Sequence, residues 1–149
     1  MLILNFKGVS MSSEGRGKVT IILHSGSYDR ASYALTLALV ALATGSEAHM
    51  LLTHGGLRRF TIGQLEEMAD ETPPQAKKDI EFGLMTGALN TLEKQLADAK
   101  ELGMKLYACS GIMAAFNIRR DNLLPEVDEE IGLGTFLEIA RAASVNWYI

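Results

Sequence analysis

Cys109 is the one cysteine of this 149-residue chain, and it stands at the end of a short apolar run, L-Y-A-C. Two small residues, Ser110 and Gly111, follow it and lead into a new apolar segment with helical spacing. A thiol between a strand and a helix lies at the positive end of that helix, which favours the nucleophilic thiolate. Free cysteine is also among the most buried residue types, so the position equally fits a small packed hydrophobe.

Two histidines, His24 and His54, each follow or end a predicted strand, as Cys109 does. In a parallel sheet the carboxyl ends of the strands share one edge, and ligands bind in the crevice beyond it. We therefore predict that both imidazoles lie on the rim of the crevice that holds the thiol. A histidine there can stabilise a thiolate or move a proton. The alternative is that each imidazole only hydrogen-bonds its own loop.

Tyr28 and Asp29 come after the first predicted strand and are candidates for lining the same crevice. Asp29 is equally well placed as an acidic residue in the first turn of a helix. His49 lies inside a predicted strand, which favours a structural role. The three histidines lack the spacing of a zinc site, and no glycine-rich nucleotide motif or C-x-x-C is present. The sequence therefore predicts no metal and no cofactor.

The elements that position these residues alternate between strand and helix. A β-branched run at residues 18–24, apolar runs at 48–53, 104–109 and 144–149, and a short acidic run at 126–131 predict strands. Helical spacing and cap residues predict helices at about residues 28–43, 62–70, 90–102, 111–117 and 135–143. This alternation is typical of βα units around a mainly parallel sheet that is covered on both faces.

Three cap signals fix the expected helix starts. Thr61, Asn90 and Thr135 are each followed three residues later by Gln or Glu, the spacing of a capping box. The tripeptide His-Gly-Gly at residues 54–56 is instead predicted to be a loop. Residues 71–88 carry two prolines and a mixed-charge stretch, and we expect a mobile insertion there.

Composition limits the class of protein. With 48% hydrophobic and 21% charged residues the chain is globular, and a net charge of −4 argues against nucleic acid as the main partner. A lone cysteine cannot form an internal disulfide, which favours the reducing cytoplasm. No signal peptide is evident, and the longest apolar stretch, residues 31–43, is shorter than the roughly 20 residues of a membrane span. We expect a flexible leader at residues 1–17 and a single domain at residues 18–149.

Four segments of the chain carry a resemblance to a known family. They are K-V-T-I-I-L-H-S-G-S-Y-D-R-A, T-H-G-G-L, L-Y-A-C-S-G-I-M-A-A-F-N-I and the ending G-L-G-T-F-L-E-I-A-R-A-A-S-V-N-W-Y-I. Over residues 18–149 the chain resembles the DsrE/DsrF-like (DsrEFH) proteins of sulfur relay, and within them the single-domain DsrE-like subgroup. The resemblance implies a three-layer α/β/α fold with a five-stranded, mostly parallel sheet.

The resemblance also implies a function. It implies a homo-oligomer, a trimer or hexamer, and a persulfide or thiosulfonate on the residue that matches the family's cysteine, Cys109. The implied partners are small TusA-like sulfur carriers and rhodanese-type donors. From the residues themselves, we expect the backbone N–H groups of Ser110 and Gly111 to stabilise the sulfur anion.

The leading hypothesis is thus a cytoplasmic sulfur-transfer protein that acts through Cys109. Whether it turns over as a sulfurtransferase or carries sulfur stoichiometrically stays open. One alternative is a non-catalytic oligomeric binding or assembly module with a packed cysteine. Another is a lone-thiol redox sensor, which would need an external thiol because the chain has no resolving cysteine.

Overall fold

The computed structural model describes residues 17–149. The expected leader lies outside them apart from its last residue, Gly17. The described elements, in chain order, are β1 Lys18–Leu23, α1 Tyr28–Ala43, β2 Glu47–Leu52, α2 His54–Arg59, α3 Pro74–Thr86, α4 Leu92–Glu101, β3 Lys105–Cys109, α5 Ser110–Ala115, a 3₁₀ turn Arg120–Asn122, β4 Glu129–Ile131, α6 Leu133–Arg141 and β5 Val145–Tyr148.

The strands form one five-stranded sheet in the order β4-β3-β2-β1-β5, and every pair of neighbours is parallel. The predicted α/β fold is confirmed. Because all the strands run the same way, the residues that follow them gather beyond one edge of the sheet. Within residues 17–149, no helix has both the length and the apolar character needed to cross a bilayer.

The larger core lies on the face of the sheet that α1 and α4 cover. Alternate residues of the three central strands point into it, and the facing side of α1 is built from small side chains, Ala31, Ala34 and Ala38. Small residues let the helix approach the sheet closely. A buried hydrogen bond of 3.1 Å from the Ser32 hydroxyl to Gln95 Oε1 joins α1 to α4.

The opposite face has a smaller core, which α6 covers. Phe136 of α6 packs there with Leu51, Tyr107 and Cys109, and all four side chains are buried. Next along the same helix, Leu137 is 48% exposed. Ile139 of α6 and Ile112 of α5 are partly buried against the same cluster.

Two local predictions between β2 and α3 are wrong. The predicted loop at residues 54–56 is the first turn of α2, because Leu57 and Phe60 are fully buried and anchor the turn against the core. The predicted helix at residues 62–70 is a series of turns. The guanidinium of Arg59 donates hydrogen bonds to the carbonyl oxygens of Gln64, Leu65 and Glu67. These carbonyls are therefore not free to accept the hydrogen bonds of a helix.

Helix starts elsewhere also differ from the predicted caps. α4 is capped by Thr91, whose hydroxyl accepts from the Lys94 N–H, rather than by Asn90. α6 begins two residues before Thr135 and has no side-chain cap. Within residues 71–88 the structure contains the regular helix α3, which starts at a proline, a favoured first helical residue. Mobility of that segment stays a prediction.

Candidate functional site

Cys109 ends β3 and is the residue that precedes the first turn of α5. Its thiol is free and only 6% exposed, and it belongs to the smaller core under α6. On the neighbouring strand it lies beside Ile131, the last residue of β4. The strand end and helix start therefore coincide at the cysteine, as the sequence predicts, and the sulfur is covered by apolar side chains.

The first turn of α5 places Ser110 and Gly111 directly after the thiol. Gly111 is exposed, and Ser110 is half-buried. A Cβ on Gly132, the residue before α6, would lie 3.9 Å from the Ser110 hydroxyl oxygen. The start of α6 thus lies close to the start of α5, next to the residue that follows Cys109.

The structure brings His24 and His54 together. Their ring centroids are 4.4 Å apart, with the planes tilted by 31°. The ring of Phe116, just after α5, meets His54 edge-on at 5.6 Å, and the ring of Tyr148 lies 6.0 Å from His24. The imidazole pair therefore lies where the chain leaves β1, β2 and α5.

His54 has a strained backbone. Its φ is 49°, a left-handed conformation that costs a non-glycine residue about 1–3 kcal/mol and is typical of functional sites. Its Nδ1 lies 2.8 Å from the Thr53 hydroxyl, which orients the ring. Thr53 follows Leu52, which pairs with Ala108, so the strained residue comes just after the strand end that neighbours Cys109. Within residues 17–149 no hydrogen bond joins the thiol to either imidazole.

Tyr28 lies in the larger core, on the other face of the sheet from Cys109. Its ring is fully buried, and its hydroxyl donates to Glu66 Oε2 at 2.7 Å. Burial, with the Glu66 carboxylate beside it, raises the pKa of Tyr28 well above its usual value. The structure therefore does not bring Tyr28 to the thiol. Asp29 is in the first turn of α1, with one buried carboxylate oxygen that has no hydrogen-bond partner.

His49 forms a structural pair under α6. Its Nδ1 lies 2.9 Å from the Tyr107 hydroxyl, and the Tyr107 ring meets Phe136 edge-on. Burial lowers the pKa of His49 and raises that of Tyr107. Both groups are thus kept neutral where α6 packs on the sheet, which agrees with the structural role predicted for His49.

A cleft of about 700 Å³ opens beyond the ends of the strands. Arg59 forms its inner wall; this side chain is 3% exposed, and its Nε donates to the Gly26 carbonyl at 2.7 Å. Its Nη2 is buried without a hydrogen-bond partner. Burial lowers the pKa of the guanidinium, and the nearby Glu71 carboxylate opposes that shift. The lining is Gly26, Arg58, Arg59, Thr61, Ile62, Gln64, Glu67, Ala69, Glu71, Phe116, Asn117, Ile118, Asp121 and Asn122.

The sequence analysis missed this cleft. Its one signal was the pair Arg58-Arg59, which begins six residues after Leu52, the last residue of β2. Because the tripeptide His-Gly-Gly was predicted to be a loop, no orientation could be predicted for the two arginines that follow it. A helix at these residues places neighbouring side chains on different sides, so it would have predicted one buried and one exposed arginine. The structure shows this, with Arg59 buried and Arg58 exposed.

No protein-family model matches the chain. In sequence it is similar to the uncharacterized protein YrkE of Bacillus subtilis (strain 168), with 28% identity over 160 residues that cover 92% of this chain and 99% of YrkE. In structure it is similar to the ychN protein of E. coli, with a TM-score of 0.58, 11% identity, and coverage of 89% of this chain and 99% of that one. MTH1491 of Methanobacterium thermoautotrophicum gives a TM-score of 0.55 and 13% identity, covering 88% and 98% of the two chains. At these identities the two structures show the fold alone.

Proposed function

We propose that the protein is a DsrE-type sulfur carrier, which holds sulfane sulfur on Cys109 as a persulfide and passes it to an acceptor thiol. The observation that carries this proposal is the position of the thiol, at the end of a central parallel strand and the start of a helix. The resemblance of the sequence to sulfur-relay proteins and the fold shared with ychN support it. We place the carrier in the cytoplasm, where a lone thiol stays reduced.

The proposed chemistry is thiol–persulfide exchange. The Cys109 thiolate attacks the outer sulfur of a donor persulfide, the S–S bond of the donor breaks, and the donor leaves as a thiolate. A thiolate of the acceptor then attacks the outer sulfur on Cys109 and regenerates the free thiolate. No electrons are gained or lost overall, so the cycle needs no cofactor.

The surrounding residues have distinct proposed roles. The backbone N–H groups of Ser110 and Gly111 face the terminal sulfur anion from the first turn of α5. His54, whose ring centroid lies 4.4 Å from that of His24, moves a proton to or from the sulfur at the same edge. Because the thiol is 6% exposed, loading requires the turn at the start of α6 to move aside. We propose a small sulfur carrier or a rhodanese-type protein as the partner that makes this contact.

A second candidate function is an oligomeric assembly module with a packed cysteine. The observation that favours it is the exposed apolar surface on and beside α6, where Leu133 is 59% exposed and Tyr148 71% exposed. Both candidates predict a homo-oligomer, of which we favour the trimer. Only the carrier predicts that the buried thiol accepts sulfur.

Intact-mass spectrometry after incubation with a persulfidated donor tests the carrier. The native protein should gain sulfur masses that a reductant removes, and Cys109→Ser should gain none. The same chain unfolded in urea is the matched control, because it presents the same thiol without the fold. Native loading no faster than that of the unfolded chain would leave the assembly module as the better account.

A further inference from the structure

The N-terminus of α1 is capped by a distant segment. Ser27 holds the cap position but makes no side-chain cap bond. Instead the Gly26 N–H donates to Glu71 Oε2 at 3.1 Å, and the Tyr28 N–H donates to the Thr72 hydroxyl at 2.9 Å. A carboxylate therefore already occupies the positive end of a 16-residue helix.

Two glycines make room for that carboxylate. A Cβ on Gly26 would lie 1.9 Å from Glu71 Oε1, and a Cβ on Gly55 would lie 2.8 Å from the same oxygen. A Cβ at either position would also meet the backbone of the other glycine, since one on Gly26 would lie 2.8 Å from the Gly55 carbonyl oxygen and one on Gly55 would lie 2.7 Å from the Gly26 nitrogen. The carboxylate thus fills a recess where the segments that follow β1 and β2 approach each other closely at Gly26 and Gly55.

Arg59 points to a ligand independently of the helix. It is 3% exposed, it lines the cleft, and its Nε is held on the carbonyl of Gly26. One of its nitrogens, Nη2, is buried without a partner. An unpaired buried donor of a charged group is costly, and a carboxylate that entered the recess more deeply than Glu71 would satisfy it.

We propose that the recess formed by Gly26, Gly55 and Arg59, here called the carboxylate site, binds a small monocarboxylate that takes the place of the Glu71 side chain. The cleft of about 700 Å³ holds the rest of the ligand. The Glu71 side chain then acts as a built-in competitor that moves out of the recess when the ligand enters. The site does not include Cys109, so it stands or falls separately from sulfur transfer.

The charges around Arg59 select the class of anion. Besides Glu71, the carboxylates of Asp29 and Glu66 act on this guanidinium. Exchanging Glu71 for a monocarboxylate leaves the local charge unchanged, whereas a phosphate dianion would add to the repulsion. A planar carboxylate also matches the fork of an arginine.

Glu71→Ala, with acetate as the probe, tests the proposal. The variant should melt at a lower temperature than the native protein, and acetate at constant ionic strength should raise its Tm saturably, by about 3 °C or more. Phosphate and chloride should not. Glu67→Ala is the matched control, since Glu67 lines the same cleft but its carboxylate does not bind Gly26. An equal response of the two variants to acetate would show a general salt effect and overturn the proposal.

Displacement in the native protein needs its own measurement. The Gly26 amide resonance should shift saturably with acetate in the native protein, with a dissociation constant about tenfold or more above that of Glu71→Ala, because Glu71 competes. No saturable shift in the native protein would reduce the site to an internal helix cap. If Glu71→Ala does not fold, Glu71→Gln is titrated in the same way and should bind acetate more tightly than the native chain. Adding Cys109→Ser should leave every value unchanged.

Discussion

On one face of the sheet, α1 and α4 bury a continuous apolar surface, whereas on the other the nine-residue α6 contributes Phe136 as its buried side chain. The single thiol lies on the second face. Because α6 buries little apolar surface, its local separation from the sheet costs little free energy. The larger core on the other face of the sheet would remain intact. The difference separates two tasks: one face supplies most of the stability, and the other controls access to Cys109.

Phe136→Ala should give the largest effect. Removing this ring takes away the main contact that holds α6 over Cys109, so we expect the rate of thiol alkylation by iodoacetamide to rise at least about tenfold and the free energy of unfolding to fall by about 3 kcal/mol. Alkylation followed by mass spectrometry and urea unfolding measure the two quantities.

Leu35→Ala is the control for that experiment. Leu35 is fully buried in the larger core, so the loss of stability should be similar, about 3 kcal/mol. The alkylation rate should nevertheless stay near that of the native protein, because opening at α6 does not involve this core. An equal rise in both variants would mean that the thiol is reached only by global unfolding, and the comparison of the two faces would fail.

Asp128 tests the face of the larger core, because it ties the chain before β4 to β3 and to α4. Its carboxylate accepts from the Leu106 N–H at 2.8 Å and pairs with Lys100. Although burial alone would raise the pKa of Asp128, these two donors hold it below its usual value. The stabilisation is therefore complete above about pH 4, the unfolded-state value, and is lost as the pH falls through the lower folded value.

Asp128→Asn should lower the free energy of unfolding at pH 7 by about 1 kcal/mol, since the pair is partly exposed and solvent screens it. Below pH 4 the difference between the native protein and the variant should shrink. Urea unfolding at a series of pH values measures this difference. A gap that stays constant down to pH 2 would show that the carboxylate charge plays no part.

The smallest expected effect concerns the imidazole pair. If His54 assists the thiol, His54→Ala should slow alkylation of Cys109 at pH 7 by about threefold, the size of one weak polar interaction. His49→Gln is the control, because His49 pairs with Tyr107 and belongs to the packing of α6. Slowing by His49→Gln but not by His54→Ala would remove the imidazole pair from the proposed site.

Regular spacing in the sequence was enough to predict the strands and α1. The β-branched run that became β1 and the alanine-rich stretch of α1 carry their pattern locally. The turns at residues 62–70 could not be predicted, because Arg59 removes their carbonyls from helix formation through tertiary contacts. Likewise nothing in the local sequence assigns Tyr28 to the larger core, since that depends on which side of the sheet α1 crosses.

The candidate site was also predictable only in part: the residues at the strand ends could be predicted, and the position of Arg59 could not. The edge that gathers Cys109, His24 and His54 follows from parallel strands, and the structure brings the two imidazoles within 4.4 Å. The position of Arg59 depends on Gly26 and Glu71, which are 33 and 12 residues away in the chain. A single sequence does not record such distant partners.

The strand order requires the segment that contains α6 to connect the two outer strands of the sheet. The chain leaves the sheet at one outer strand, β4, and re-enters it at the opposite outer strand, β5. Four strand spacings cover about 19 Å, and because both strands are parallel the chain must also return from the carboxyl end of β4 to the amino end of β5; α6, about 14 Å long, therefore crosses the sheet diagonally. Residues 132–144 make the whole crossing, nine of them in α6, so very little spare chain remains at either end of the helix. An insertion or deletion here would change how tightly the segment is drawn over the sulfur, without altering any residue that touches it.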